Sequence, residues 1–183
     1  MSGCSRIAVA LVHYPVLNPQ GERATTAITA MDIHDFARTA AFYNVSPVYF
    51  VHPAAAMQSL FYDVQSHWLS GKAGVRNPAR REMMRHLKMV DSLDVVLEDG
   101  PYQVWYTSAN PPVSSCVKPE SLMDIAGNHL IVFGTGSGLD LSGLPDANGW
   151  LSALQGVGSI RHLSVRAALS IYLDRLYRSD LEA

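Results

Sequence analysis

The sequence predicts an α/β domain, a mostly parallel β-sheet with helices on both faces. Three observations carry this reading. Continuous apolar runs near residues 6–13, 47–51 and 130–133 read as strands buried on both sides. Intervening segments place apolar residues at helical spacing, as at Ile33, Phe36, Ala37 and Ala40. The two patterns alternate along the chain, as a parallel sheet requires, because each pair of parallel strands needs a crossover connection. No internal repeat, low-complexity tract or break in composition interrupts the 183 residues, so residues 1–183 are read as one domain.

Taken in order, the first strand (6–13) ends at Pro15 and a polar loop, 18–21. A helix over 29–43 follows, with Asn44 as its stop. The strand "PVYFV" at 47–51 precedes a helix over about 54–69 and a flexible stretch, 71–77. Pro78 suits the first turn of a helix that carries Met84, Leu87 and Val90 inward. A strand at 102–107, a short helix after Pro119 stopping at Gly127, and a strand at 130–133 come next. The last helix covers 163–178, with Val165, Ala168, Leu169, Tyr172 and Leu176 on one stripe. Ligands of such sheets sit beyond the carboxyl ends of strands, so the loops after His13, Val51, Thr107 and Phe133 are the places to look.

Composition narrows the function. A formal net charge of −2 excludes a uniformly basic nucleic-acid binder, so any RNA site is a local patch. Only 16% of residues are charged against 48% hydrophobic, which leaves surface for a partner chain to cover. Cys4 and Cys116 lie far apart without a CxxC pattern, as expected of a cytoplasmic protein with free thiols. No targeting segment is expected, and no run approaches the roughly 20 apolar residues of a membrane span. Seven histidines are scattered without HExxH or paired spacing, so no metal is expected. A G-x-S-x-G elbow and a Walker motif are both absent.

The sharpest local signal is "LIVFGTGSGL" at 130–139, an apolar strand entering a loop with Gly134, Gly136 and Gly138. Glycines let backbone amides approach a ligand closely. The spacing is not GxGxxG, which favours an adenosine-like ligand held by backbone groups over a dinucleotide. A second segment, "LQGVGSIRHLSVRAALSIYLDRL" at 154–176, sets Gly156 and Gly158 before an amphipathic helix. A third, "MDIHDFARTAAFYNV" at 31–45, joins an altered polar helix start to "ARTA". In this order the three resemble the motifs of the SPOUT, or α/β-knot, methyltransferases. The first is similar to the Asn-x-Gly-x-x-x-Arg-Thr-Ala motif of the SpoU-like branch, with Asp32 in place of Asn and His34 in place of Gly. The whole resembles a smaller bacterial group of S-adenosylmethionine-dependent RNA methyltransferases.

The resemblance implies a C-terminal trefoil knot, a homodimer with its site at the interface, and S-adenosylmethionine as cofactor. By position it implies cofactor contacts from Phe133, Gly134, Thr135, Gly136 and Leu139, and from Gly156, Gly158, Ile160, Leu163, Ser164 and Ala167. Thr107, Ser108 and Ala109 are added because they end a strand. Methyl transfer from a sulfonium needs alignment and, for some acceptors, a base. Arg38 is the candidate for the reacting ribose or phosphate, unless it is tied to Asp32 or Asp35 as a structural residue. Asp35 is the candidate base or the group orienting Arg38, and His34 a proton shuttle. His162 and Arg166 are candidates for the cofactor carboxylate or the substrate. For RNA, Lys72, Arg76, Arg80, Arg81, Arg85 and Lys88 make a basic stretch interrupted only by Glu82, with Arg81, Arg85 and Lys88 on one predicted helical face. Tyr62 and Trp68 are candidate stacking surfaces or else core. The alternatives are a non-catalytic nucleotide-binding or RNA-binding α/β module.

Overall fold

The six side chains of β1 (Ile7–Val12) are all buried, as a strand covered on both faces must be. The computed structural model containing it describes residues 6–181; Cys4 lies outside them, and Cys116 is a free thiol. After β1 comes a two-stranded antiparallel ribbon, β2 (Val16–Leu17) and β3 (Arg23–Ala24). Helix α1 (Ala30–Phe42) starts on a capping box. The Thr29 side chain accepts from the Asp32 amide, and the Asp32 side chain accepts from the Thr29 amide. Asn44, with φ of 55°, takes the left-handed turn that stops it. Then follow β4 (Val48–Val51), α2 (Ala55–Leu69), α3 (Lys72–Arg76), α4 (Pro78–Arg85), β5 (Leu87–Val90) and α5 (Leu93–Glu98). The chain continues through β6 (Tyr102–Tyr106), a 3₁₀ turn (Pro119–Asp124), β7 (Asn128–Gly134), β8 (Gly149–Trp150) and α6 (Val165–Leu181).

The six-stranded sheet has the order β5-β4-β1-β7-β6-β8, and its paired strands are all parallel. From β1 the chain first builds out to β5 on one side and then fills the other side with β6, β7 and β8. The junction of β1 with β7 is therefore the switch point, and the register Val12↔Gly134 brings both strand ends to the same edge. One face is packed by α1, α2, α4 and α6 through Phe36, Phe61, Met84 and Leu169. Phe36 meets Phe50 at 5.8 Å and Phe133 at 6.1 Å, and Phe133 meets Tyr172 of α6 at 5.7 Å, all edge-on. The other face is covered by Leu93 and Val96 of α5 and by Val16 and Leu139. From β8 the chain returns through residues 151–164 to start α6 over β7.

Three sequence expectations need correction. The helix opened by Pro78 ends at Arg85, and Leu87–Val90 is strand β5. Pairing with the open edge of β4, including Val48 N–H to the His86 carbonyl at 2.9 Å, outweighs the helical spacing of Leu87 and Val90. Residues 72–76 of the expected flexible stretch form α3, whose Gly74 lies so close to the Trp68 carbonyl that a Cβ there would sit 1.8 Å from it. Helix α6 starts at Val165 rather than Leu163. Its apolar stripe, Leu169, Tyr172, Leu173 and Leu176, is buried within the chain, and Tyr177 stacks on Tyr43 at 6.0 Å. The stripe thus leaves no apolar excess for a second chain. Among the described residues no helix is long and apolar enough to cross a membrane.

Phe36 joins both halves of the sheet to α1. Replacing it with alanine is expected to destabilise the fold by about 3–5 kcal/mol, read as a lower urea midpoint; a loss under about 1 kcal/mol would place the core elsewhere.

Candidate functional site

A cavity of about 650 Å³ opens at the carboxyl edge of β6 and β7, within the roughly 300–1,000 Å³ of small-molecule sites. Thr107, Ser108, Ala109 and Asn110 form one wall and Phe133 to Gly138 the floor; Leu154, Arg161 to Val165, Ala168 and Tyr172 close it from the C-terminal segment. Three loops far apart in sequence therefore meet because parallel strands end together. The glycine loop is shaped by the ribbon. Ser137 N–H donates to the Leu17 carbonyl at 2.9 Å and Leu17 N–H to the Gly138 carbonyl at 2.8 Å. Gly136 has φ of +60°, and a Cβ there would stand 2.9 Å from the Leu17 carbonyl. Its missing side chain is thus demanded by the ribbon before any ligand is considered. Arg23 ties the ribbon to the loop through Asp140 at 2.5 Å and Ser142 at 2.9 Å; the Ser142 hydroxyl, donating to Asp140 at 2.7 Å, and then Arg23 hold the Asp140 carboxyl below the usual carboxylate range.

The lining suits an adenosine carrying an amino-acid tail. Phe133, Leu154, Val165, Ala168 and Tyr172 give apolar surface, backbone groups of the glycine loop give polar contacts, and Arg161 and His162 are the ionisable basic groups beside no lining acid. The N-terminus of α6 adds a partial positive charge.

A family model described as SAM-dependent RNA methyltransferase matches residues 6–178. The chain belongs to that family. A protein of Aquifex aeolicus is 32% identical over 180 residues, covering 93% of this chain and 88% of its own. The tRNA (guanine-N(1)-)-methyltransferase of Nitratidesulfovibrio vulgaris is 34% identical over 174 residues, covering 91% of this chain. The chain spans about two fifths of that enzyme's length, 41%. The solved TrmH/SpoU tRNA modifying enzyme of Aquifex aeolicus shares the fold, with a TM-score of 0.61 at 15% identity over 97% of this chain and 77% of that one.

In this RNA methyltransferase nine sequence-named cofactor residues border the cavity: Thr107, Ser108, Ala109, Phe133, Gly134, Thr135, Gly136, Leu163 and Ser164. Leu139, Gly156, Gly158, Ile160 and Ala167 do not. Leu139 packs against Gly134 and the second core cluster. Gly156, Gly158 and Ile160 are exposed. The Ala167 N–H is drawn to Ser164 Oγ at 3.2 Å, which caps α6. Asn110, Ser137, Gly138, Leu154, Arg161, Val165, Ala168 and Tyr172 also border the cavity, and the sequence did not mark them as ligand contacts. Val165, Ala168 and Tyr172 sat on a stripe whose helical spacing reads as core.

The first-motif residues part company. Arg166, not Arg38, takes the carboxylates: its Nη1 lies 2.9 Å from Asp32 and its Nε 3.3 Å from Asp35. This latch joins the first turns of α1 and α6. Arg38 is exposed and forms no ion pair with a carboxylate among the described residues. His34 points to α2, edge-on to Trp68 at 5.7 Å.

The basic stretch is also divided. Arg85 pairs with Glu82 at 2.8 Å, and Lys88, now on a strand, pairs with Asp99, so Arg81, Arg85 and Lys88 share no helical face. Arg76 and Arg81 are exposed on α3 and α4, while Arg80 lies over the Trp68 ring at 4.7 Å. Tyr62 is exposed and Trp68 half-buried.

A buried histidine network at the end of β1 carried no sequence signal beyond its loop position. Thr135 Oγ1 donates to the Val12 carbonyl at 3.0 Å, so it accepts from Thr26 Oγ1 at 2.5 Å. Thr26 in turn accepts from His13 Nδ1 at 2.9 Å. His13 Nε2 is therefore a bare acceptor, buried and unpartnered. The neighbouring His52 takes the opposite tautomer, because Ala54 N–H donates to its Nδ1 at 3.0 Å and its Nε2 reaches Thr25 at 3.1 Å. The chain from His13 ends at Thr135, in the cavity floor.

Burial lowers the His13 pKa from 6.5 to about 4. The unfolded chain takes up a proton near 6.5 that the folded chain refuses, so stability present above that pH is lost as pH falls toward 4. The loss is about 3 kcal/mol at roughly 1.4 kcal/mol per unit. His13→Asn keeps a donor toward Thr26 and does not titrate. Its urea midpoint is expected to fall less than the wild-type midpoint between pH 7 and pH 4.5; equal falls would show that His13 is charged when folded.

Proposed function

We propose that the cavity at the ends of β6 and β7 holds S-adenosylmethionine, and that the RNA acceptor lies beside it at the first turns of α1 and α6. The observation that carries this is the meeting of three loops around an adenosine-sized cavity with cationic groups and no lining acid. When bound, the cofactor supplies a methyl group on a sulfonium, so the protein's work is alignment and removal of the acceptor's proton. Phe133, Leu154, Val165, Ala168 and Tyr172 would enclose the purine, and Arg161 or His162 would meet the carboxylate. Thr135 fixes the cavity floor through Thr26 and His13.

Arg38 is the residue we place on the acceptor nucleotide. Its guanidinium lies on α1 one turn beyond the Arg166 latch, free of carboxylates among the described residues. Asp35 then acts by holding Arg166 and, with it, the start of α6 beside the cavity. The relative from Nitratidesulfovibrio vulgaris and the solved TrmH/SpoU enzyme are both tRNA enzymes by name, which supports tRNA as substrate. We extend the family likeness to a threaded C-terminal segment, a cytoplasmic homodimer and a site shared between two copies. In that assembly the exposed Val157, Ile160 and Leu163 are among the apolar groups available to a second chain.

Two variants test the reading. Ala168→Leu keeps helix propensity while filling the cavity, so calorimetry should show loss of S-adenosylmethionine binding with an unchanged melting temperature; retained binding would move the cofactor elsewhere. Arg38→Ala should fold within about 0.5 kcal/mol of the wild type and lose about 10²–10³-fold in kcat on tRNA. Normal turnover would remove Arg38 from the reaction.

A further inference from the structure

Trp68 of α2 is surrounded by basic groups from three helices. The Arg80 guanidinium of α4 lies over its ring at 4.7 Å. His34 of α1 meets it edge-on at 5.7 Å, and His67 does so at 5.2 Å. Arg38 stands one turn along α1 from His34. Several other cations are held by carboxylates: Arg23 by Asp140, Arg85 by Glu82, Lys88 by Asp99, and Arg166 by Asp32 and Asp35. Arg80 and Arg38 have no such carboxylate among the described residues. An arginine stacked on an indole has its face satisfied while the N–H edge stays presented in the plane, the geometry that grips a phosphate with two parallel bonds. His34 Nδ1 is buried and has no hydrogen-bond partner, so the cluster also contains a polar atom whose hydrogen-bonding capacity is unmet.

We propose that Arg80, Arg38 and His34 form a seat for one phosphodiester of the RNA substrate, with Trp68 as the positioning residue that holds Arg80 flat. The proposal rests on RNA being the methyl acceptor and extends the contact at the reacting nucleotide to its adjoining phosphodiester, with Arg38 common to both. A phosphate fits because the seat offers two positive charges and planar donors, while the nearby acid, Asp35, is engaged by Arg166; backbone contacts orient an RNA without reading its sequence.

A proton accompanies the phosphate. In the free protein, burial holds His34 below its ordinary pKa, reinforced by the charges of Arg80, Arg38 and His67 and opposed by Asp35. Trp68, the remaining neighbour, is uncharged. An anion between the two arginines cancels their repulsion, so the pKa of His34 rises in the complex. RNA affinity therefore increases as pH falls through the His34 pKa of the complex, and levels off below the lower pKa of the free protein.

The experiment uses the full chain with bulk tRNA, and calorimetry with S-adenosylmethionine as the control for the cofactor site. Arg80→Ala should reduce the slope of log affinity against log salt by about 0.7–0.9, one phosphate contact, with cofactor affinity unchanged. Trp68→Leu should match it, and Trp68→Phe should restore most of the affinity. His34→Gln should flatten the pH dependence of tRNA binding, and the His34 imidazole should titrate higher with a short RNA present. A well-folded Arg80→Ala protein with an unaltered salt slope overturns the seat while leaving the methyltransferase reading intact. A wild-type protein that binds cofactor but neither binds nor methylates RNA overturns both. Inorganic phosphate that raises the His34 pKa as far as RNA does would make the seat a general anion site and overturn its assignment to RNA.

Discussion

Ile7–Val12 and His129–Gly134 lie side by side in parallel register, two buried strands whose backbone donors and acceptors have no water to turn to. That pairing sets where everything else goes. Val12 and Gly134 end at the same level, so the loops that follow them meet, and Thr135 can reach back to the Val12 carbonyl. The ribbon after β1 then lies over the glycine loop after β7, and α1 enters close enough for its first turn to meet the start of α6. A slip of one residue between β1 and β7 would turn Phe133 away from Phe36 and carry Thr135 off Thr26. The cavity floor and the aromatic core are thus settled by the same register.

Asp32 and Asp35 of α1 show how a motif changes its job when one partner changes. Asp32 stands where the SpoU-like motif has asparagine, and it still caps the helix through Thr29. Its negative charge also draws Arg166 across from α6, with Asp35 as a second ligand. The arginine that the sequence motif made conspicuous, Arg38, is left without a carboxylate, while an arginine in the last motif becomes the structural one. Both outcomes follow from charge and proximity.

Much of the architecture was legible from period alone. β1, α1, β4, α2, β6 and β7 lie where unbroken apolar runs or helical spacing put them, because each is long enough for the period to be unambiguous. What escaped was decided by contacts between distant segments. Leu87 and Val90 fit a helix continuing from Met84, until the open edge of β4 offers a ladder of hydrogen bonds. β8 is two residues long and exists only because Trp105 and Tyr106 pair with it. In the site, glycines and the strand ends after Tyr106 and Phe133 were readable. Tyr172 and Ala168 were not, since a residue facing a cavity and one facing the core occupy the same helical stripe. His13 and His52 carry no spacing signal at all; only the fold brings them within 6.4 Å.

Residues 155–164 deserve a thermodynamic reading. All ten are exposed, although Arg161 to Ser164 form one side of the cavity. The segment is anchored at its ends, by Leu154 and by the cap of α6, and its internal hydrogen bonds are those of Arg161 to Gln155 and Gly156. Gly156 and Gly158 have open space where a Cβ would stand. Fixing such backbone against a ligand costs about 1–2 kcal/mol of conformational entropy per residue. Ligand affinity at this site is therefore a net quantity, with the contacts offset by the ordering of the wall that makes them. A heat-capacity change larger than the cavity's own apolar surface would give is its calorimetric signature, and shortening or stiffening this segment acts on affinity without touching a single ligand contact.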